Sequence, residues 1–470
     1  MPYESIDQLK KAIDGVLEIK GNNVVVLDEA KLKSSLIDAL IYTGVFSADQ
    51  AVKDMARWLI RRAGAALGIL SASIQTLYEA MGRKEVTGFT VPAINIRALT
   101  YACAQAVLRA AMKGKVGPVI FEIARSEIDY TAQRPPEYIA CVTAAAIKCG
   151  YRGPLFIQGD HFQVNAKKYV ADSSKEVKAV KDLILEALES GFYNIDIDTS
   201  TLVDLSKPTV KEQQYLNSSL AAEMTAMIRD LEPAGITVSV GGEIGEVGGK
   251  NSTPEELQAY MEGYLEELGK AGKNLKGISK ISIQTGTTHG GVPMPDGTIA
   301  NVKLDFATLE KLSEEARVKY GLAGAVQHGA STLPDEAFNH FPATKTAEVH
   351  LATGFQNIIY DSKAFPADLR DKIYQYIKKD LASDWGKNDT EEQFIYKTRK
   401  KALGPFKKDL WDLPKPVLEA LGKELEKQFA FLFGKLNVNK TQDVCAKYMK
   451  AVDVAIKEPG AKFKKETDAL

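Results

Sequence analysis

The sequence predicts an α/β fold, a closed (β/α)8 barrel with a helical N-terminal extension and a helical C-terminal segment. From Thr90 onward, short runs rich in Val and Ile alternate with longer stretches of helical period, which is the pattern of repeated βα units. Eight such runs are present, and eight strands fit a closed barrel better than an open sheet. The predicted strands cover residues 90–95, 118–124, 154–158, 193–198, 236–240, 279–284, 322–327 and 347–351.

Two of the predicted outer helices have an apolar face. Residues 174–190 place Val180, Ile184 and Leu188 at helical spacing, and residues 305–319 repeat this pattern. The loops after the third and sixth strands are long and rich in Gly, Asn or Pro, whereas several loops leading into strands are short. The elaborated carboxyl end of the barrel is therefore the predicted catalytic end.

The chain divides into three predicted regions. Residues 1–75 carry amphipathic helical patterns and form the N-terminal extension, which we expect to be a helical cap or an oligomer contact. Residues 76–362 form the catalytic barrel, and residues 363–470 form a helical segment that contributes to the active site.

Composition narrows the class of partner. The 60 basic and 61 acidic side chains nearly cancel, so the overall charge favours neither nucleic acid nor an anionic membrane, and a small molecule is the expected partner. No apolar stretch approaches the roughly 18 residues of a membrane span, and the N-terminus lacks a secretory pattern, so we expect a cytoplasmic protein. The four cysteines form no CxxC pair, which argues against a zinc ribbon or a disulfide framework.

Three of the five histidines stand just beyond predicted strands. His161, His289 and His328 follow the third, sixth and seventh strands, whose carboxyl ends meet at one edge of the barrel. Three imidazoles with one open position form a zinc site at which the metal acts as a Lewis acid on a bound carbonyl. The alternative for each histidine is a hydrogen-bonded structural residue, but the three together favour the metal. His350 lies within the last strand, where it is able to face the same site.

Acidic residues accompany two of these strand ends. Asp160 directly precedes His161, and adjacent residues leaving a strand point in different directions, so one can bind metal while the other exchanges protons with a substrate. Glu243 follows the fifth strand, where it is suited to bind the metal or to orient a ligand. Glu246 follows on a glycine-rich loop as a candidate second base. A helix cap for Asp160 and a solvent loop for Glu246 are the alternatives.

Glycine-rich turns follow the last strands. Gly290 stands after the sixth strand, and Gly329 and Ser331 stand after the seventh, so that backbone N–H groups lie beside a hydroxyl at the start of a helix. Such turns are suited to binding phosphate. Thr353, after the last strand, is placed to complete the cradle, and the alternative is a set of tight βα turns.

Taken together, these motifs resemble those of the class II, metal-dependent fructose- and tagatose-bisphosphate aldolases. The resemblance spans about residues 75–405 and rests on PAINIRAL near the first strand, GDH after the third, GGEIGEVGG after the fifth, GTTHGG after the sixth and HGASTLPDE after the seventh. It implies a TIM barrel and a zinc-dependent enzyme of glycolysis and gluconeogenesis, which cleaves fructose 1,6-bisphosphate reversibly to dihydroxyacetone phosphate and glyceraldehyde 3-phosphate. We expect a homodimer or homotetramer, and the sequence leaves open whether a monovalent cation assists at the phosphate turn.

The resemblance also implies a role for each matching residue. Asp160 takes the proton of the C4 hydroxyl, Glu246 is a candidate base for the proton at C3, and Asn95 at the end of the first strand contacts substrate. The short match of YKTRK to the family's Y-D-P-R-K implies that Arg399 reaches the second substrate phosphate. No predicted strand has an obvious buried lysine for a Schiff base, which agrees with metal-dependent chemistry. The implied zinc ligands are His161, His289 and His328 with the metal-associated Glu243, and the implied contacts to one phosphate are Gly290, Gly329 and Ser331.

The last strand departs from the family pattern. Typical members carry N-x-D-[TS] there, whereas this chain has His350 at the position of the substrate-binding Asn and Thr353 at the last position. The N-terminal extension and an insertion near 370–392 also go beyond the usual length, so the chain resembles a divergent long member.

Three functions remain open from the sequence. The first is a class II fructose-bisphosphate aldolase, favoured by Arg399 and the phosphate turns. The second is a zinc-dependent epimerase of a ketose, a ketose phosphate or a keto sugar acid, favoured by the altered last strand. The third is a non-catalytic stabilising subunit of an aldolase, against which the retained histidines and Asp160 argue.

Overall fold

A closed barrel of parallel strands forms the centre of the protein. The structure is a computed structural model that describes residues 1–245, 249–286, 294 and 304–460. Its strands, in chain order, are β1 Leu17–Lys20, β2 Asn23–Val26, β3 Ile69–Ser71, β4 Val91–Asn95, β5 Ile120–Ala124, β6 Gly153–Gln163, β7 Asn194–Asp198, β8 Ser239–Glu243, β9 Lys280–Ile283, β10 Ala325–Gln327 and β11 Glu348–Leu351. Strands β4 to β11 pair in sequence, every pair is parallel, and β11 pairs with β4 to close the barrel.

The barrel confirms the predicted (β/α)8 fold. Each of the eight predicted strands overlaps one barrel strand, because each is a short apolar run that becomes buried on both faces. The largest difference concerns β6. The prediction ends this strand at residue 158, whereas β6 continues to Gln163 and carries site residues within its paired length.

Helices surround the barrel. They are α1 Ile6–Ile13, α2 Glu29–Lys31, α3 Ile37–Phe46, α4 Gln50–Ala66, α5 Gln75–Gly82, α6 Thr100–Gly114, α7 Arg125–Thr131, α8 Pro135–Cys149, α9 Ala166–Ala171, α10 Ser173–Ser190, α11 Val210–Leu231, α12 Pro254–Ala271, α13 Phe306–Tyr320, α14 His340–Ala343, α15 Thr353–Asp361, α16 Ala367–Asp380, α17 Glu391–Thr398, α18 Lys407–Trp411, α19 Lys415–Lys435 and α20 Gln442–Ala446. The helices predicted over 174–190 and 305–319 are α10 and α13. Val180, Ile184 and Leu188 of α10 are buried as the periodicity predicts.

The N-terminal extension is mainly helical, as the sequence predicts, and it also contains a β-hairpin. Helix α1 ends at Ile13, and β1 and β2 then form an antiparallel hairpin whose turn is Gly21–Asn22. Gly21 has a positive φ of 59°, which a two-residue hairpin turn requires and glycine provides. Strand β3 pairs in parallel with the start of β6, so the extension is joined to the barrel sheet.

The C-terminal segment packs against the barrel helices through α19. Leu421, Leu425 and Phe429 of α19 are buried, and Arg109 of α6 forms an ion pair with Glu426, with 2.6 Å between Nε and Oε2. Among the described residues, we find no helix with the length and apolar character needed to cross a membrane.

Candidate active site

A bulge in β6 places two adjacent residues at the carboxyl end of the barrel. The pairing of β6 with β7 shifts between Gly159 and Phe162, so that Asp160 and His161 together stand opposite Asp196. His161 has a φ of 40°, a left-handed conformation that residues other than glycine seldom adopt. Asp160 and His161 therefore both line the same cavity. The argument from a regular strand end does not include this bulge.

Three imidazole rings form a row in this cavity. The ring centroids of His161 and His328 are 4.2 Å apart, and those of His328 and His350 are 4.0 Å apart. His161 comes from β6, His328 from the residue after β10, and His350 from β11. The structure thus brings together two of the predicted zinc ligands, with His350 beside them.

Carboxylates surround His161. Its Nδ1 donates a hydrogen bond to Asp198 Oδ2 at 3.0 Å and lies 3.3 Å from Glu243 Oε2, while its Nε2 lies 3.9 Å from Asp160 Oδ1. Burial alone would lower the pKa of His161, but attraction to Asp160 and Glu243 outweighs it and holds the pKa well above its ordinary value. Burial raises the pKa of Glu243 to about 8, and repulsion by Asp198 adds to the rise.

This donor set fits a divalent metal ion. One ligand atom from each of Asp160, His161 and His328 lies within 4.8 Å of the others, and the same holds for His161, Asp198 and Glu243. Imidazole nitrogen and carboxylate oxygen are donors that zinc accepts. A cation here would also offset the repulsion by Asp198 that adds to the effect of burial on the pKa of Glu243.

His350 connects the cavity to a buried acidic cluster. Its Nδ1 lies 2.9 Å from Glu122 Oε2 and 3.3 Å from Asp160 Oδ1, and its Nε2 lies 2.6 Å from Glu348 Oε1. Burial would lower the pKa of His350, but Glu122 and Asp160 raise it well above the ordinary value. Burial raises the pKa of Glu122 to about 8. These groups form a cluster that is able to exchange protons with a ligand in the cavity.

A buried lysine lies among these residues inside the barrel. Lys280 on β9 is 1% exposed, forms ion pairs with Glu348 and Asp196, and donates a hydrogen bond to Gln158 Oε1 at 2.9 Å. The prediction that no strand carries a buried lysine is therefore wrong. Burial would lower the pKa of Lys280, but Asp196 and Glu348 outweigh it and raise the pKa, so the amine is a stable cation and unsuited to forming a Schiff base.

The cavity has a volume of about 330 Å³ and is lined by basic as well as acidic groups. Arg97 forms an ion pair with Glu127 at 2.7 Å, and Arg125 forms one with Glu176. Lys400 also lines the cavity, and within the part of the chain that the structure describes it has no carboxylate in ion-pair contact. Burial and repulsion by Arg97 lower the pKa of Lys400. An anionic group on a ligand would find a basic partner here.

Most of the predicted substrate contacts lie at this cavity. The predicted substrate contacts that line the cavity are Asn95, Gly329, Ser331, His350 and Thr353. Asn95 Nδ2 donates to Glu127 Oε2 at 2.6 Å, and Thr353 Oγ1 accepts from Arg97 at 3.1 Å. Three predicted site residues lie outside the described residues: Glu246, His289 and Gly290.

Arg399 lies away from the cavity lining, contrary to the prediction. Its guanidinium donates to Asp361 at 2.8 Å and lies over the rings of Tyr360 and Tyr396, 5.1 and 5.0 Å from their centroids. These contacts enclose the side chain, which is 5% exposed, so it joins the C-terminal segment to α15 rather than lining the cavity. The following residue, Lys400, reaches the cavity instead.

Several site residues are absent from the sequence-based predictions. They are Arg97, Glu122, Asp196, Asp198, Lys280, Glu348 and Lys400. A signal was available for two of them. The run Asn194–Asp198 alternates acidic and apolar residues, and a period of two puts Asp196 and Asp198 on the same face of β7.

An eight-stranded barrel with imidazoles and carboxylates at its strand ends defines the class of barrel proteins that carry their chemistry at the carboxyl end. The model of the class-II fructose-bisphosphate aldolase family matches residues 75–402, and the chain belongs to this family. A search of curated proteins finds no significant match.

The chain is similar to several solved structures. The fructuronate-tagaturonate epimerase of Cohnella laeviribosi, crystallised with one glycerol, is 13% identical, with a TM-score of 0.58 over 92% of this chain and 98% of that chain. A protein from Sinorhizobium meliloti described as a probable tagatose 6-phosphate kinase is 16% identical, with a TM-score of 0.52 over 76% of this chain and 93% of that chain. The fructose-bisphosphate aldolase of Campylobacter jejuni is 19% identical, with a TM-score of 0.48 over 79% of this chain and 96% of that chain. At these identities the likeness to the first two structures concerns the fold alone.

Proposed function

We propose that the protein is a zinc-dependent class II aldolase that reversibly cleaves fructose 1,6-bisphosphate to dihydroxyacetone phosphate and glyceraldehyde 3-phosphate. The observation that carries the proposal is the position of Asp160. Its Oδ1 lies 3.9 Å from His161 Nε2 and 4.0 Å from His328 Nδ1. A carboxylate beside two imidazoles that can bind a metal is well placed to take a proton from a substrate held at that metal.

In this proposal the metal would be held by His161, His289 and His328 together with Glu243. Bound Zn²⁺ supplies a Lewis acid that withdraws electron density from the ketose carbonyl. Asp198 orients His161 through the hydrogen bond to Nδ1.

The proton steps fall to side chains of this chain. Asp160 takes the proton of the C4 hydroxyl, the C4–O bond becomes the aldehyde carbonyl, and the C3–C4 bond breaks with its electron pair remaining on C3. Glu246, in our proposal, returns a proton to C3. His350 lies 3.3 Å from Asp160 and stabilises its ionised form, which the reaction requires at the start.

The substrate phosphates would bind to two sets of residues that line the cavity. Gly329 and Ser331 provide one set of contacts, and both line the cavity after β10. Arg97 and Lys400 provide the second set, in place of the enclosed Arg399.

A second candidate is an epimerase of a ketose or a keto sugar acid. The observation that favours it is His350, which stands where typical aldolases have Asn and which faces Glu122 at 2.9 Å. An extra pair of proton-exchanging groups suits a reaction in which the cleaved fragments are retained and rejoined with the opposite configuration. The epimerase fold also superposes on 92% of this chain.

One assay separates these candidates. The zinc-loaded protein is incubated with fructose 1,6-bisphosphate, and triose phosphate release is followed by a coupled NADH assay. In parallel, fructuronate is supplied and the product is identified by NMR. Triose release supports the aldolase, and conversion of fructuronate to an isomeric sugar acid without triose supports the epimerase. Turnover of neither substrate by zinc-loaded protein contradicts both and favours the non-catalytic subunit.

A further inference from the structure

A single carboxylate oxygen inside the barrel joins the buried lysine to the active-site histidine. Oε1 of Glu348 is the shared partner of Lys280 Nζ, of Gln158 Nε2 at 2.9 Å, and of His350 Nε2 at 2.6 Å. The other oxygen, Oε2, accepts a hydrogen bond from the hydroxyl of Tyr78. Glu348 is fully buried. The position of this oxygen is therefore fixed by protein groups alone.

The same strand carries this carboxylate and the histidine. Glu348 and His350 are two residues apart on β11, so both side chains point to the inside of the barrel, one layer above the other. His350 lines the cavity, whereas Glu348 does not. The ring of His350 is thus held between Glu348 on its inner side and Glu122 and Asp160 on the other.

The barrel makes room for the lysine. A Cβ at Gly241 of β8 would lie 2.3 Å from Asp196 Oδ1 and 2.8 Å from Lys280 Cε. Only glycine therefore fits at this position while Lys280 and Asp196 form their ion pair, with 3.0 Å between Nζ and Oδ1. A buried carboxylate without a cation is strongly destabilised, and Lys280 is the cation that allows Glu348 to remain charged next to His350.

We propose that Glu348, backed by Lys280, is a positioning residue that holds the ring of His350 against Asp160 for the reaction. The expected effect on kcat rests on the proposed function. The position of the His350 ring does not, because Glu348 and Lys280 determine it whatever reaction the protein catalyses.

The test is a double variant, Lys280→Met with Glu348→Gln. It removes one positive and one negative charge, so the net charge buried in the barrel is unchanged. Asp196 loses its ion pair with Lys280 but keeps His350 as a cationic neighbour, with 3.7 Å between Oδ2 and Nε2. Tyr78→Phe is the matched control, because it removes a hydrogen bond to the same carboxylate but at Oε2, away from His350. Crystal structures, zinc content, kcat and KM are compared for the three proteins.

We expect the double variant to retain its zinc, to show a displaced His350 ring, and to lose about tenfold or more in kcat with little change in KM, the usual consequence of removing an orienting partner. Tyr78→Phe should match the wild type in ring position and kcat. An unmoved ring in the double variant overturns the inference, and so does an unchanged kcat with a displaced ring. If wild-type protein turns over no ketose, the proposed function fails, while the ring position still decides whether Glu348 and Lys280 hold His350.

Discussion

Asp198 accepts a hydrogen bond from His161, with 3.0 Å between Oδ2 and Nδ1, and this contact determines which ring nitrogen carries hydrogen. A carboxylate can only accept, so Nδ1 is protonated and Nε2 is the nitrogen with the lone pair in the neutral ring. Nε2 is also the nitrogen on the Asp160 side. Asp198 is itself fixed by Gln163, which donates to the same Oδ2 at 2.6 Å, and by Ser200, which donates to Oδ1 at 2.7 Å.

Replacing Asp198 by Asn should weaken metal binding. The amide lacks the charge that stabilises the Nδ1 proton and raises the basicity of Nε2, so we expect zinc affinity to fall by about 10- to 100-fold. Competition titration with a chromogenic chelator measures the change. Ser200→Ala is the control, because it removes a hydrogen bond to the other oxygen of the same carboxylate. Equal affinity in Asp198→Asn and wild type would contradict the orienting role.

Replacing Asp160 by Asn should abolish most of the activity while the metal stays bound. An amide cannot accept the C4 hydroxyl proton, and loss of a general base typically costs about 10²- to 10⁴-fold in kcat. Zinc content by mass spectrometry and the triose-release assay are measured on the same preparation. Asp129→Asn is the control, since Asp129 is an exposed carboxylate that lines the same cavity. Loss of zinc from Asp160→Asn would identify Asp160 as a ligand instead of the base.

The left-handed backbone of His161 should be visible in stability measurements. At a φ of 40° a Cβ is strained, so His161→Gly should be more stable than His161→Ala by about 1 kcal/mol in the chelated protein. The matched pair is His328→Gly and His328→Ala. His328 is not among the residues with positive φ, so the order should reverse there. Urea unfolding in EDTA gives the free energies of unfolding, and Ala equal to Gly at position 161 would contradict strain in the bulge.

The sequence predicts the strands well and the interior of the barrel poorly. Each apolar run becomes a buried parallel strand, so β6, β10 and β11 could be located, although β6 ends at Gln163 and not at the predicted residue 158. His161, His328 and His350 could therefore be placed in or just after these strands. The bulge could not be predicted, because a strand pattern assumes a period of two and one extra residue reverses the direction of the side chains that follow.

Lys280 illustrates a second limit. A lysine at the first position of an apolar run is predicted to be the exposed start of a strand, because an isolated buried amine is unfavourable. Its partners Glu348 and Asp196 are 68 and 84 residues away in sequence, and the glycine that makes space for it lies on the neighbouring strand. Arg399 is the opposite case. Its sequence motif predicts a site residue, but contacts that the sequence does not reveal hold its side chain away from the cavity.

Metal binding should depend on pH through Glu243. Burial raises its pKa to about 8, so in the metal-free protein the carboxyl is mostly protonated below that pH, and zinc must displace the proton. Zinc affinity should therefore rise with pH up to about 8 and fall as the pH is lowered. The buried site favours the protonated form of this carboxyl. The free energy of unfolding of the metal-free protein should therefore fall as the pH rises towards 8 and the folded protein has to give up this proton.

Calorimetry in buffers of different ionisation enthalpy counts the protons released per zinc bound. Glu243→Gln should release fewer protons and show a flatter pH dependence, although His161 still contributes because its pKa is also raised. Asp129→Asn should behave as the wild type. Identical proton release from Glu243→Gln and wild type would show that Glu243 gives up no proton to the metal.

Lys400 and Arg399 are neighbours in sequence with opposite environments, which allows the phosphate contact to be assigned to one of them. Lys400 lines the cavity near Arg97 without a carboxylate partner among the described residues. Arg399 is held by Asp361 and by hydrogen bonding to Asn357 at 2.6 Å. We therefore expect Lys400→Met to raise the KM for fructose 1,6-bisphosphate about tenfold with kcat nearly unchanged, because it removes binding that ground and transition states share.

Arg399→Met should give the opposite result, a lower melting temperature with a nearly unchanged KM, because its charge joins the C-terminal segment to Asp361 of α15. Steady-state kinetics and thermal unfolding on both variants provide the comparison. Only the side chain of Lys400 reaches the cavity. The raised KM should therefore be confined to Lys400→Met and the lowered melting temperature to Arg399→Met. A raised KM in Arg399→Met with wild-type behaviour in Lys400→Met would restore the phosphate role that the motif implies, and would require the tyrosine-enclosed guanidinium to swing into the cavity when substrate binds.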